Sequence, residues 1–141
     1  PIENDLAGTR GPAVEGYERR LFLFRSPERS RLIEQVDRAM ALLSVITRKA
    51  PEPLVNIVLF YTAEAGWTVY LFPRGKHRPD VFHTRELTVS PASIDLCGIF
   101  VVPLERDFER ISGDAIAAIF REVTLPPNEF DAVAAQLETR K

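Results

Sequence analysis

Two apolar runs joined by a short turn constrain the fold of this chain more than any other feature. Residues 54–61 and 67–72 are rich in β-branched and aromatic side chains, and residues 63–66 separate them with small and polar ones. This pattern predicts an antiparallel β-hairpin. Because an isolated hairpin is at best marginally stable in water, other elements must cover its apolar side.

An amphipathic segment before the hairpin can provide that cover. Ser26, Pro27 and Glu28 offer an N-cap hydroxyl, a proline at the first helical position and a first-turn acid. Apolar side chains then recur at three- and four-residue spacing, which predicts a helix lying on a sheet and ending before Pro51. These apolar residues are Leu32, Ile33, Val36, Ala39, Met40, Leu43 and Ile46.

The rest of the chain predicts shorter elements. Residues 86–89 form a possible short strand, and residues 98–102 an additional buried strand with Cys97 as a small buried residue at its start. Proline and N-cap signals predict helices at 112–121 and 126–137. Strands grouped between helices favour an α+β fold with an antiparallel β-sheet and flanking helices.

Length and composition set the domain organisation. A chain of 141 residues that is 45% hydrophobic suits one globular domain. We expect residues 1–16, with three glycines and two prolines, to form an irregular arm, and residues 17–141 to form a single α+β domain.

Charge and cysteine content limit the partners and the compartment. The formal net charge is −2, which argues against nucleic acid or an anionic membrane as a partner. No apolar run approaches the roughly 18–20 residues of a membrane span. Cys97 is the only cysteine, which fits a reducing compartment and predicts a cytoplasmic protein.

A basic loop is the densest polar cluster. Residues 73–79 contain Arg74, Lys76, His77 and Arg78 directly after a predicted strand. Arginine offers a planar fork to two phosphate oxygens and lysine a compact charge, so the loop is a candidate phosphate site. The alternative is a solvated turn whose cations pair with Asp80 or Glu86. His77 and His83 have no metal-ligand spacing, and neither a metal nor a cofactor is predicted.

Other polar residues interrupt apolar segments. Asn56 lies within a predicted strand, so its amide must bond either to nearby backbone or to the ribose or base of a ligand. Ser93 and Asp95 follow as a hydroxyl and a carboxylate without a partnered histidine, and such a pair does not make a nucleophile. Asp95 could equally cap a turn.

Four collinear segments carry a resemblance to a known family. They are Asn56-Ile57-Val58, Leu71-Phe72-Pro73-Arg74, residues 90–98 and Glu105-Arg106-Asp107-Phe108-Glu109, and residues 120–130 continue the match. Together they resemble the C-terminal half of the GDP-L-galactose phosphorylase family in the histidine-triad superfamily, above all its bacterial members. The diadenosine tetraphosphate phosphorylases share a fainter version of the same pattern.

The resemblance implies a histidine-triad-like half and a nucleotidyl-transfer reaction on a nucleoside-diphosphate sugar or a dinucleotide polyphosphate. In the family, a histidine of a His-x-His-x-His or His-x-His-x-Gln motif attacks the α-phosphorus, and inorganic phosphate then displaces the nucleotide. The two histidines of this chain, His77 and His83, belong to no such motif. The resemblance therefore implies that this chain has no catalytic residue of its own and needs a missing N-terminal half.

The resemblance also implies binding residues and partners. It suggests nucleotide or phosphate contacts from seven residues: Asn56, Arg74, Lys76, His77, Arg78, Ser93 and Asp95. The expected partners are a nucleotide or nucleotide sugar, inorganic phosphate, and either the missing half or a second copy of the chain, because histidine-triad halves commonly pair into one continuous sheet.

Two alternatives from other functional classes remain. The chain could be a stand-alone ligand-binding or interaction module that retains the fold without the chemistry. A more remote possibility is that the amine of Pro1 acts as a general base, as in the tautomerase superfamily. The polar, glycine-containing arm that follows Pro1 argues against this second alternative.

Overall fold

The computed structural model describes residues 9–10 and 19–139. Most of the predicted arm, residues 1–16, lies outside these residues. Pro1 also lies outside them, so the tautomerase hypothesis stays untested. Within the arm, Thr9–Arg10 forms a two-residue strand, β1, which pairs antiparallel with the strand that follows it.

A four-stranded antiparallel sheet forms the centre of the fold. Its other strands are β2 (Phe22–Ser26), β3 (Val55–Thr62) and β4 (Gly66–Pro73), in the order β1-β2-β4-β3. β3 and β4 pair along their whole length, from Val55 opposite Pro73 to Thr62 opposite Gly66. The predicted hairpin is therefore confirmed.

Helices flank the sheet, and the predicted α+β class is confirmed. The long first helix begins at Arg29, slightly later than predicted, and the Ser26 hydroxyl oxygen accepts the Glu28 N–H at 3.1 Å just before it. Ser112 caps a later helix through the Ala115 N–H, as predicted. The helices are α1 (Arg29–Thr47), α2 (Asp80–His83), α3 (Ser93–Leu96), α4 (Glu105–Phe108), α5 (Gly113–Val123) and α6 (Pro127–Glu138).

The sheet buries apolar side chains on both faces, because successive residues of a strand point to opposite sides. On one face, Val69 and Leu71 pack with α1 and α6, and the Phe22 and Phe130 rings stack with centroids 4.4 Å apart. On the other face, Phe72 packs with Phe120 of α5. The helices thus make the sheet the middle layer.

The predicted strand at residues 98–102 is wrong. These residues have irregular backbone, and the Val101 N–H donates to the Asp95 carboxylate at 2.8 Å instead of to a neighbouring strand. Cys97 is exposed, which corrects the prediction that it is buried. The possible strand at 86–89 is irregular as well.

β3 is an edge strand with exposed apolar side chains. Ile57, Leu59, Phe60 and Tyr61 are between 42% and 59% exposed. Among the described residues, no strand pairs with the outer side of β3. In the same part of the chain, no helix is both long enough and apolar enough to span a membrane.

Candidate functional site

The basic loop, residues 73–79, leaves β4 with a tightly held backbone. The Arg74 N–H donates to the Leu54 carbonyl at 2.8 Å, and the Gly75 N–H donates to the Val123 carbonyl at 3.0 Å. The Lys49 ammonium also donates to the Gly75 carbonyl at 2.7 Å. The loop is therefore pinned to the start of β3, to the C-terminal end of α5 and to the segment after α1.

Gly75 allows the close approach to the end of α5. A Cβ atom at this position would lie 3.2 Å from the Thr124 carbonyl oxygen and 3.3 Å from a side-chain carbon of Pro126. These contacts are tighter than ordinary van der Waals distances. The glycine lets the loop lie against this segment without displacing it.

The Arg74 guanidinium is a buried anchor, with only 7% of the residue exposed. Nη1 donates to Asn56 Oδ1 at 2.9 Å and also to the Pro91 carbonyl. Nε and Nη2 donate to the carbonyls of Lys76 and His77 at 3.2 and 2.8 Å. One side chain therefore joins β3, the segment before α3 and the basic loop itself.

Arg74 keeps its positive charge although burial disfavours the charged form. Burial lowers the pKa of Arg74 from its usual value, and the nearby Asp95 carboxylate acts in the opposite direction. Because arginine is the most basic side chain, the guanidinium stays protonated at neutral pH. Asp95 thus provides a compensating charge in the same buried region.

Asn56, Ser93 and Asp95 lie close to this anchor. The Asn56 amide donates to the Ser93 hydroxyl oxygen at 3.3 Å while its own oxygen accepts from Arg74. Asp95 is 3% exposed, and its two carboxylate oxygens accept the N–H groups of Ala92 and Val101 at 2.7 and 2.8 Å. We refer to Asn56, Arg74, Ser93 and Asp95 as the Arg74 cluster.

Lys76 is exposed but its ammonium is engaged by two carboxylates. It lies 2.9 Å from Asp80 Oδ1 and 2.7 Å from Glu122 Oε1. The hydrogen bond to Glu122 is the main cause that raises the pKa of Lys76, and the hydrogen bond to Asp80 is the second. The same hydrogen bond from Lys76 lowers the pKa of Asp80. The pairing with Asp80 is the one that the solvated-turn alternative anticipates.

The other basic side chains border an open depression. Arg78 places its guanidinium carbon 4.1 Å from the centroid of the Phe82 ring, a cation–π contact that orients it. His77 and His83 are exposed. The depression is lined by Lys76, His77, Arg78, Asp80 and His83.

The structure therefore divides the predicted site residues into two groups. The Arg74 cluster is buried or half-buried and bonded internally, whereas Lys76, His77 and Arg78 face solvent. Sequence reasoning missed Glu122, which lies 46 residues from Lys76 along the chain. No local spacing could have indicated that contact. Among the described residues, no group of three or more His, Cys, Asp or Glu side chains could hold a metal ion.

Comparisons with known proteins place the chain in a family. The model of the family described as "GDPGP1-like, C-terminal domain" matches residues 12–139, which is nearly the whole chain. A search of curated proteins and a search of solved structures found no significant match. The resemblance inferred from the sequence motifs is confirmed, and the chain belongs to the GDPGP1-like family as its C-terminal domain.

Proposed function

We propose that this chain is the nucleotide- and phosphate-binding C-terminal part of a nucleotide phosphorylase. Its substrate would be a nucleoside-diphosphate sugar or a dinucleotide polyphosphate. The observation that carries the proposal is a set of solvent-facing cations around one depression, on a loop held by a buried arginine, in a chain of the GDPGP1-like family. A loop of this kind suits a ligand that carries phosphate groups.

The proposed reaction has two displacements. A histidine nitrogen attacks the α-phosphorus of the nucleoside-diphosphate sugar, a nucleotidyl-histidine forms, and the sugar 1-phosphate leaves. An oxygen of inorganic phosphate then attacks the same phosphorus, which releases the nucleoside diphosphate and restores the histidine. That histidine comes from another segment, since His77 and His83 belong to no His-x-His motif.

The geometry supports different roles for the two groups of residues. Lys76, His77 and Arg78 face solvent and would contact phosphate oxygens, which offsets negative charge on the transferring group. Arg74 already donates four hydrogen bonds within the chain, so it would position the loop rather than hold the ligand directly. Asp95, with both oxygens bonded to backbone, would position Ser93.

Asn56 and Ser93 would provide the neutral polar contacts. Both are half-buried near the free edge of the sheet, and they already bond to each other at 3.3 Å. A hydroxyl can both donate and accept, so Ser93 can turn toward a ribose hydroxyl or a base edge without breaking the Asn56–Arg74 bond. These two residues would thus contact the nucleoside while the basic loop holds the phosphates.

Phosphate binding to the 141-residue chain tests this proposal. Inorganic phosphate and GDP are titrated into wild type, Lys76→Ala and Arg78→Ala, and binding is followed by calorimetry or by amide chemical shifts. Each variant is expected to bind roughly three- to tenfold more weakly, because each removes one exposed cation from the site. Arg31→Ala, an exposed change on α1, is the control and should bind like wild type. Equal affinity in all four proteins would refute the phosphate-loop assignment.

The partner of this domain would bind at the edge of β3. The outer backbone groups of an edge strand are a template for pairing, and four large apolar side chains stand exposed beside them. The partner would be the histidine-bearing half or a second copy of the chain, and either would extend the sheet. β1 occupies the opposite edge of the sheet.

A further inference from the structure

One carboxylate oxygen of Glu122 accepts hydrogen bonds from two donors of the basic loop and α2. Its Oε1 atom accepts one hydrogen bond from the Lys76 ammonium at 2.7 Å and another from the Asp80 backbone N–H at 2.9 Å. A lysine ammonium and a backbone N–H that converge on one oxygen are typical donors to a bound phosphate. Here both donors are used by a carboxylate of the same chain.

The contact joins two elements that are distant in sequence. Glu122 lies in the last turn of α5, and Lys76 and Asp80 lie in the basic loop and at the start of α2. Glu122 is only 27% exposed, whereas the side chains of Lys76 and Asp80 are 45% and 75% exposed. The glutamate therefore reaches the cation from the protein side, and the opposite side of the cation remains open to solvent.

The carboxylates also change the charge of the depression. Lys76 and Arg78 contribute two positive charges, and Asp80 and Glu122 contribute two negative charges. The two carboxylates thus balance the two fixed positive charges when no ligand is bound. A phosphate dianion offers more charge and more acceptor oxygens than one carboxylate, so it can compete for Lys76.

We propose that Glu122 is an internal competitor for the phosphate group of the ligand, and that ligand binding displaces Glu122 Oε1 from Lys76 and from the Asp80 N–H. This proposal rests on the proposed function, because it concerns the same basic loop. A carboxylate on the same chain acts at a high effective concentration. While it occupies the two donors, phosphate cannot bind them, so the apparent affinity for phosphate falls with the fraction of molecules in which the donors are free. Removing its charge should therefore strengthen phosphate binding.

The test compares phosphate binding by wild type, Glu122→Gln, Asp80→Asn and Lys76→Ala. Glutamine keeps the size of Glu122 and removes its charge, and Asp80→Asn does the same for the second carboxylate without altering the Asp80 backbone N–H. Glu34→Gln is the matched control. Glu34 is exposed on α1, roughly 20 Å from the C-terminal end of that helix, which is the end that lies near the basic loop. Thermal unfolding of each variant verifies that it is folded. Inorganic phosphate and GDP are titrated separately, which distinguishes free phosphate from the phosphates of a nucleotide.

We expect Glu122→Gln to bind phosphate or GDP, whichever binds wild type, roughly three- to fivefold more tightly than wild type does. Asp80→Asn should give a smaller gain, because Asp80 is more exposed than Glu122. The Asp80 amide resonance should move on ligand binding in wild type, because its hydrogen-bond acceptor changes. Lys76→Ala should bind more weakly and Glu34→Gln like wild type.

Other results separate the two proposals. If Lys76→Ala binds more weakly than wild type but Glu122→Gln binds equally or more weakly, the internal competitor is refuted and the phosphate loop stands. If none of the proteins binds phosphate or GDP saturably, both proposals fail.

Discussion

Arg74 connects three segments through hydrogen bonds that no other residue type could make together. Its planar guanidinium reaches Asn56, the Pro91 carbonyl and the carbonyls of Lys76 and His77. Lysine would keep the charge but lack the planar set of N–H donors that reaches these acceptors. These buried hydrogen bonds explain why an arginine directly follows β4, whatever ligand the loop binds.

Arg74→Ala is expected to lower the free energy of unfolding by roughly 2–4 kcal/mol, because it leaves buried acceptors unpaired and Asp95 without its compensating charge. Urea unfolding measures the effect. Arg74→Lys should recover only part of the loss. The exposed Arg31→Ala should remain within about 0.5 kcal/mol of wild type, and a similarly small change for Arg74→Ala would contradict the anchoring role.

Asp80 gives a pH-dependent contribution to stability. The bond from Lys76 lowers the pKa of Asp80, so this contribution is present above the unfolded pKa, near 3.9, and is lost as the pH falls through the folded pKa. Asp80→Asn should therefore be less stable than wild type near pH 7, and this difference should disappear toward about pH 3. Thermal melts across that range test it. A difference that does not change with pH would contradict the Lys76–Asp80 pairing.

The sequence identifies several residues that the fold brings together, and the contacts that it does not identify are non-local. Asn56 bonds to both Arg74 and Ser93, although the latter lies 37 residues away, because the hairpin register and α3 bring them together. The contact between Glu122 and Lys76 could not be predicted, since it depends on how α5 docks beside the loop. The Pro91 carbonyl is a backbone acceptor and leaves no signature in the residue types.

At the scale of elements, the hairpin turn depends on Gly66. Its φ is +70°, and an added Cβ atom would lie 2.8 Å from both the Pro27 Cα and the Ser26 carbonyl oxygen. Gly66→Ala is expected to cost roughly 1–3 kcal/mol in unfolding free energy, from backbone strain and the clash with β2.

Gly113→Ala is the matched control for this prediction. Gly113 begins α5, and a Cβ atom there meets nothing within 4 Å. The change should be neutral or stabilising by up to about 1 kcal/mol, since alanine favours helix. Equal effects of the two substitutions in urea unfolding would contradict the turn geometry.

The elements that were predicted correctly have strong local signals, and the failed ones do not. The hairpin and α1 have long periodic patterns, and α5 and α6 have cap or proline signals. Residues 98–102 offered only a short apolar run, which periodicity cannot assign to a strand. The Val101 N–H bonds to Asp95, and Ile99 and Val101 remain 61% and 49% exposed, so this run does not join the sheet.

For the whole molecule, the exposed β3 edge predicts association. Leu59→Asp places a charge among the apolar side chains of this edge and should abolish pairing with the partner half or with a second copy. Because Leu59 is 52% exposed, the stability of the isolated chain should change little. Light scattering and sedimentation measure the association.

Ala132→Asp is the control for this prediction. Ala132 is exposed on α6, which lies near β1 at the opposite edge of the sheet. This variant should associate like wild type. A chain that stays monomeric at all concentrations and does not bind a histidine-bearing half would contradict the proposed interface.

The most direct test of the central claim is a phosphorolysis assay that compares the 141-residue chain with the product of the native gene. The substrate is a GDP-sugar labelled at its α-phosphorus. We expect no turnover by the chain alone. The native product should carry the label covalently when phosphate is absent and should release it as GDP when phosphate is added, and Lys76→Ala should slow the release. If the native product binds GDP but becomes labelled neither by the GDP-sugar nor by a dinucleotide polyphosphate labelled at its α-phosphorus, the chain is a binding module and not half of a phosphorylase.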